Sequence, residues 1–223
     1  MKEFKIRASS ASKICTVKNK PNILPAGAKT YCETWVKQQI YGRRKEFTSK
    51  YTEKGMSVEL ESFDVIGKHL GIEVAKNDEY FENDFATGTP DIITPNFIVD
   101  AKNSWSCFTF PLFDDEIPKD DNYFQAQVYS CLTGINHSKF IYLLSDTPEK
   151  LIQQEAKSYC YKNGYDLTPE IVDEMREQMT YGNIAPEYKI KVFDVEESKE
   201  DIAFLEQRVL LCREYIKTLG YVV

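Results

Sequence analysis

Three charged side chains stand in a stretch otherwise built for burial, GTPDIITPNFIVDAKN at 88–103: Asp91, Asp100 and Lys102. Side chains in a strand alternate between faces, so Asp100 and Lys102 share one face and Ala101 takes the other. If NFIVD pairs with TPDII through the TPN turn, Asp91 approaches Asp100 across a hairpin. Two carboxylates held close repel each other, and one takes up a proton unless a divalent cation lies between them. Oxygen donors suit a hard ion, Mg²⁺ with Mn²⁺ as its substitute, before zinc. A metal-bound water can attack a phosphodiester. A neighbouring ammonium can orient that water or offset the charge developing on phosphorus. By itself D…DxK also fits a surface hairpin with a cross-strand ion pair, because motifs this short recur by chance.

Two neighbours extend the pattern. KGMSVELE places Glu59 four residues after Gly55, on a helix preceding the hairpin, where it can bring a third carboxylate to a sheet edge. NYFQAQVYSC places Gln125 on the helix after the hairpin, with Tyr129 one turn later. A glutamine can hold a phosphate or a water without adding charge. Each alone reads as a surface acid or a helix-packing polar residue.

The elements that must position these groups follow from periodicity and punctuation. SSASKI (9–14) reads as a helix start with Ser9 or Ser10 as N-cap, and KPNILPAGAK (20–29) as a loop. TYCETWVKQQIYG (30–42) has helical spacing. Residues 50–71 read as one helix, with Met56, Leu60, Phe63 and Ile66 on its apolar face and Gly71 ending it. FATGTPDII and NFIVDAK form the hairpin, 122–134 a helix, and KFIYLLS (139–145) a buried strand. The segment from Pro148 to Tyr181 is polar and helical, broken at Asn163-Gly164. EYKIKVFDV (187–195) alternates like a strand, and an amphipathic helix runs from the Ser198 cap to Gly220. The expected architecture is α/β (α+β): a central mixed β-sheet flanked by helices, one domain over 1–223 with a helical insertion at 148–186.

The totals agree. The chain has 223 residues, 42% hydrophobic and 28% charged, which suits a folded soluble domain. A net charge of −7 argues against coating nucleic acid by bulk charge, but not against an enzyme with a local basic groove. The first 54 residues illustrate such a region, with KQQIYGRRKEFTSKYTEK mixing basic and aromatic residues, although by itself this stretch reads as a solvated helix face. No apolar run is long enough to span a bilayer, and MKEFKIRASS lacks the apolar core of a secretory signal, so a cytoplasmic location is expected. Cysteines 15, 32, 107, 131, 160 and 212 form no CxxC pair and read as reduced thiols. The acidic stretches 77–85 and 113–121 read as solvated loops, the second able to gate the site. Trp105 and Phe108 suit either core packing or stacking on a DNA end.

The order GxxxE, TPD, DAK and QAQ resembles that of the PD-(D/E)XK nucleases, and more narrowly the YqaJ-type viral recombinases that include the phage lambda exonuclease. IRAS (6–9), KGMSVE, TPD (89–91), DAK (100–102) and QAQVYSCLT (125–133) carry the resemblance. It implies a restriction-endonuclease-like core and a Mg²⁺-dependent exonuclease. That enzyme would hydrolyse linear double-stranded DNA from its ends, 5′ to 3′, in phage-type recombination. It further implies that Asp91, Asp100, the Ala101 carbonyl and Glu59 hold the metal, that Lys102 serves the attacking water, and that Gln125 holds the water or phosphate. Ser9 and Thr89 fall where the family grips a 5′-phosphate, with Arg7, or Lys2 further upstream, as the cation. A ring-shaped trimer and a single-strand annealing partner are implied in the same way. Asp100 stands where the narrower family has glutamate, and the 148–186 insertion matches nothing in the pattern. Two alternatives remain: a RecB-like single-strand nuclease, and a catalytically silent DNA-binding module on the same fold.

Overall fold

The computed structural model describes residues 3–18, 20, 22–45, 49–118 and 120–220. The chain opens with β1 (Ile6–Arg7), a 3-10 turn (Ala8–Ser10), α1 (Ser12–Cys15) and α2 (Ala26–Tyr41). Then come α3 (Lys50–Ser57), α4 (Glu59–Leu70) and four strands, β2 (Phe81–Glu82), β3 (Ala86–Gly88), β4 (Ile92–Ile93) and β5 (Ile98–Asn103). The second half runs α5 (Asp120–Thr133), β6 (His137–Leu143), α6 (Glu149–Asn163), α7 (Pro169–Met179), β7 (Ile190–Glu196) and α8 (Lys199–Thr218). The mixed α/β class expected from the sequence is the class observed.

Among the described residues the strands form two sheets instead of one. β1-β3-β2 is a three-stranded sheet and β4-β5-β6-β7 a four-stranded one. The expected hairpin survives only as Ile92↔Val99 and Ile93↔Ile98. Its FATG end pairs elsewhere: Ala86 and Thr87 lie parallel to Ile6 and Arg7. The break falls at Thr89-Pro90, and a proline cannot donate to either ladder. β5 and β6 are parallel, and α5 makes the crossover that a parallel pair requires. β7 closes the sheet antiparallel to β6.

Two helix expectations are also corrected. Residues 50–71 break at Val58, which has φ −109° and ψ 8°. Hydroxyls on both sides bond backward, Ser57 to Glu53 O at 2.7 Å and Ser62 to Val58 O at 2.8 Å, a habit that bends helices. Phe63 and Ile66 are buried as expected, but Met56 and Leu60 are each 73% exposed. At the N-terminus, neither Ser9 nor Ser10 caps a helix. Arg7 precedes the 3-10 turn without a side-chain cap, and α1 lasts a single turn. The expected break at Asn163-Gly164 is real, with Gly164 at φ +70° ending α6, and Thr168 caps α7.

Among the described residues, three apolar clusters hold the layers. One joins α1, α2, α5 and α8 to the small sheet, with Phe4, Ile14, Phe124, Val128 and Leu205 at its centre. A second seats Phe63 and Ile66 of α4 on Val99, Ile141 and Leu143. The third packs Phe110, Phe140, Tyr142, Tyr181 and Phe193. Buried Arg208 on α8 donates to the carbonyls of Thr16, Val17 and Lys20, each at 3.1 Å.

The small sheet meets α5 at Gly88, where a Cβ would stand 2.9 Å from Tyr129 Cε1 and 3.1 Å from Ala8 Cβ. Tyr129 is buried and hydrogen-bonded, so it cannot step aside freely. Gly88→Ala is therefore expected to destabilise the fold by about 1–3 kcal/mol, read as a lower urea midpoint at unchanged slope.

Candidate active site

β5 supplies the centre. Ile98, Asp100 and Lys102 face α5, while Val99 and Ala101 pack towards α4. Asp100 is only 3% exposed. The amide of Gln125 bridges the pair: its Nε2 donates to Asp100 Oδ1 at 2.8 Å, and its Oε1 accepts from Lys102 Nζ at 3.2 Å. Lys102 Nζ also lies 2.6 Å from Asp100 Oδ2. Tyr129, one helical turn after Gln125, receives a second hydrogen bond from its Nε2 at 2.7 Å. The Tyr129 hydroxyl lies 3.4 Å from Asp100 Oδ1 and 3.3 Å from the Thr89 carbonyl. Burial, then the charge of Asp100, pushes the Tyr129 pKa well up, so its hydroxyl remains a neutral donor.

Asp91 arrives from the other strand of the hairpin. The Ile92↔Val99 register sets it opposite Asp100, and its Oδ2 accepts the Ala101 N–H at 2.8 Å. Asn77 fixes this segment from outside. Its backbone N–H donates to Asp91 O at 2.8 Å and its side-chain amide to Pro90 O at 2.9 Å. The 77–85 stretch is therefore not merely a solvated loop. No periodicity marks Asn77; an asparagine's habit of bonding nearby backbone was the only available signal.

Asp91, Asp100, Lys102 and Gln125 thus come together. Glu59 does not join them directly. It opens α4, and Lys76, a residue outside the sequence pattern, takes its carboxylate at 2.6 Å. Among the described residues no three His, Cys, Asp or Glu side chains converge to hold a metal by themselves. A hard cation would therefore rest on the two aspartates and on backbone or water oxygens. One observation fits it: Asp100 Oδ2 is buried and has no hydrogen bond, its Lys102 contact being misaligned for one. Arg7, Ser9 and Thr89 are exposed. The Arg7↔Thr87 pairing and the Ala8–Gly88 approach set them along one edge beside the site. Lys2 lies outside the described residues. Trp105 is half-buried against Tyr51 at 5.4 Å, whereas Phe108 stands 91% exposed.

Burial, then the neighbouring Asp100 charge, pushes Asp91 up to about 7. The Ala101 N–H and Lys102 pull it back, and Glu59 adds a smaller push. With a folded pKa above the unfolded one, this carboxyl favours folding below about pH 4, a contribution lost as pH rises through 7. In EDTA at pH 8, Asp91→Asn is thus expected to stabilise the protein by on the order of 1–3 kcal/mol. The gain should vanish at pH 4, and thermal unfolding at the two pH values checks both signs.

No family model matches the sequence, and no curated protein does. Solved structures do resemble it. A phage-related exonuclease from Haemophilus somnus 129PT superposes with a TM-score of 0.82 at 25% identity, covering 98% of this chain and 96% of that one. LHK-Exo, an alkaline exonuclease from Laribacter hongkongensis, superposes with a TM-score of 0.63 at 15% identity, over 96% of this chain and 89% of its own. In complex with dAMP it gives 0.67 at 13% identity over the same shares. The chain therefore has the fold of these exonucleases, consistent with a lambda-exonuclease-like PD-(D/E)XK nuclease.

Proposed function

We propose that this protein is a Mg²⁺-dependent exonuclease, with Mn²⁺ able to substitute, that hydrolyses linear duplex DNA from its ends in the 5′ to 3′ direction during phage-type recombination. The observation that carries the reading is the convergence of Asp91, Asp100 and Lys102, with a buried carboxylate oxygen left without a hydrogen bond. The shared fold with phage-related and alkaline exonucleases supports it. So does the dAMP complex of the Laribacter protein, a mononucleotide of the kind such digestion releases.

In this reading Asp91, Asp100 and the Ala101 carbonyl hold the ion, and Glu59 adds negative charge from the edge. When bound, the ion supplies a Lewis acid that lowers the pKa of water and offsets phosphate charge. Lys102, held on one side by Asp100 and Gln125, has its remaining N–H directions free for the attacking water or a phosphate oxygen. Gln125 keeps Asp100 and Lys102 in register without changing their charge. Water oxygen attacks phosphorus, the P–O3′ bond breaks, and a 5′-phosphomononucleotide departs. Arg7, Ser9 and Thr89 on the neighbouring edge bind the terminal 5′-phosphate. Trimer formation and transfer of the product strand to an annealing protein belong to the same proposal, supported by resemblance alone.

The test is digestion of linear duplexes labelled at either end, with and without a 5′-phosphate, in Mg²⁺ and in EDTA. Label should leave the 5′ end first, only with metal, and faster from phosphorylated ends. Lys102→Ala should lower the rate at least about a hundredfold while preserving the fold. Digestion undiminished in that variant would refute the assignment. Loss from the 3′ end first would overturn the polarity.

A further inference from the structure

We infer that Lys54 is a positioning residue that couples the 148–186 insertion to the end of the catalytic strand. The inference rests on the nuclease reading above. Lys54 is 0% exposed, one of the largest fully buried side chains of the molecule. Taking an ammonium out of water costs several kcal/mol unless partners compensate. No carboxylate forms an ion pair with it among the described residues. Its Nζ donates to the Trp105 carbonyl at 3.1 Å. It also lies 5.9 Å from the centre of the Trp105 ring and 5.8 Å from that of Tyr181. Asp146 acts on it from further away, and burial pulls its pKa down to about 8. A lysine held in this way is weak evidence of stabilisation and better evidence of a required geometry.

Four parts of the chain meet at this ammonium. Lys54 itself belongs to α3. Trp105 lies three residues beyond Lys102, and the ladder still holds just before it, Ser104 N–H donating to Leu143 O at 2.8 Å. Asp146 follows the exit of β6. Tyr181 closes the insertion: its N–H donates to Asp146 Oδ1 at 2.5 Å and its carbonyl accepts from Lys189 Nζ at 3.1 Å. The Tyr181 hydroxyl accepts the Cys107 N–H at 3.2 Å, so the insertion also grips the segment after Trp105. Elsewhere α6 meets α3 through Lys150–Glu53, an exposed pair that contributes little, and through the part-buried pair Lys50–Glu155, whose Lys50 Nζ lies 4.7 Å from the centre of the Trp105 ring. The buried connection between insertion and catalytic strand passes through Lys54 and Tyr181, with Lys50 and Glu155 forming a more exposed one beside it. A shift of about 1 Å in a positioned group can cost about a hundredfold in rate, and Lys102 hangs from this strand end.

The test compares Lys54→Met, Lys54→Gln and Tyr181→Phe for kcat and KM per folded molecule, well below each thermal midpoint. Lys54→Met should lower kcat about tenfold or more with KM within about twofold. Lys54→Gln should recover part of the loss, since its amide can still donate to Trp105. Tyr181→Phe should fall between wild type and Lys54→Met. In a Trp35→Phe background Trp105 is the remaining tryptophan, and its emission should change in Lys54→Met. A purely structural Lys54 would lower the thermal midpoint yet leave kcat and emission at wild-type values, which would overturn the inference. If Lys54→Met does not fold, the other two variants decide by the same criteria. An inactive wild type would overturn the nuclease reading instead, and the Trp105 emission would still decide whether Lys54 holds the strand end.

Discussion

The structure is organised around an electrostatic conflict: two carboxylates face each other across a hairpin only two residue pairs long, one of them almost wholly buried. Left alone, such a pair would drive its strands apart or hold a proton. The groups around it limit that cost. Lys102 offsets one charge, a backbone amide holds the other carboxylate, and the Gln125 amide and Tyr129 hydroxyl supply neutral hydrogen bonds. On α5, buried Gln125 and Tyr129 serve Asp100, whereas buried Asn122 bonds the Tyr142 hydroxyl and buried Gln127 ties the helix to Glu196 and Ser198. An apolar α5 would leave Asp100 Oδ1 without the contacts it makes with Gln125 and Tyr129.

The division into two sheets serves the same arrangement. Pro90 ends one ladder, and the chain re-enters the second sheet with Asp91 at its edge, so the acid is placed by a change of sheet rather than by a continuous strand. Gly88 lets the small sheet come close enough to α5 for the Tyr129 hydroxyl to reach both Thr89 and Asp100. The edge that carries Arg7, Ser9 and Thr89 is brought beside the acids by this packing. It is not brought there by the dipole of a long helix, since α1 is a single turn. The net charge is −7, yet the first 54 residues carry more Lys and Arg than Asp and Glu.

Sequence alone determined the strand that holds Asp100 and Lys102 on one face, because strand alternation is a local geometric property. It also determined the approach of Asp91, the Gln125 helix, the glycine helix stops and the cap of α8, each set by residues within a few positions of one another. Tertiary structure decided the rest. Periodicity counted Met56 and Leu60 as core, but it could not register that Ser57 and Ser62 bend the chain at Val58 and turn both side chains outward. The pairing of FATG with Ile6 and Arg7 joins residues about eighty apart, which no window along the chain contains. The capture of Glu59 by Lys76, the clamp of Asn77 on Pro90 and Asp91, and the burial of Lys54 beneath Trp105 have the same origin. A charged or amide side chain takes its partner from whatever packing brings near, and only the folded chain fixes which group that is.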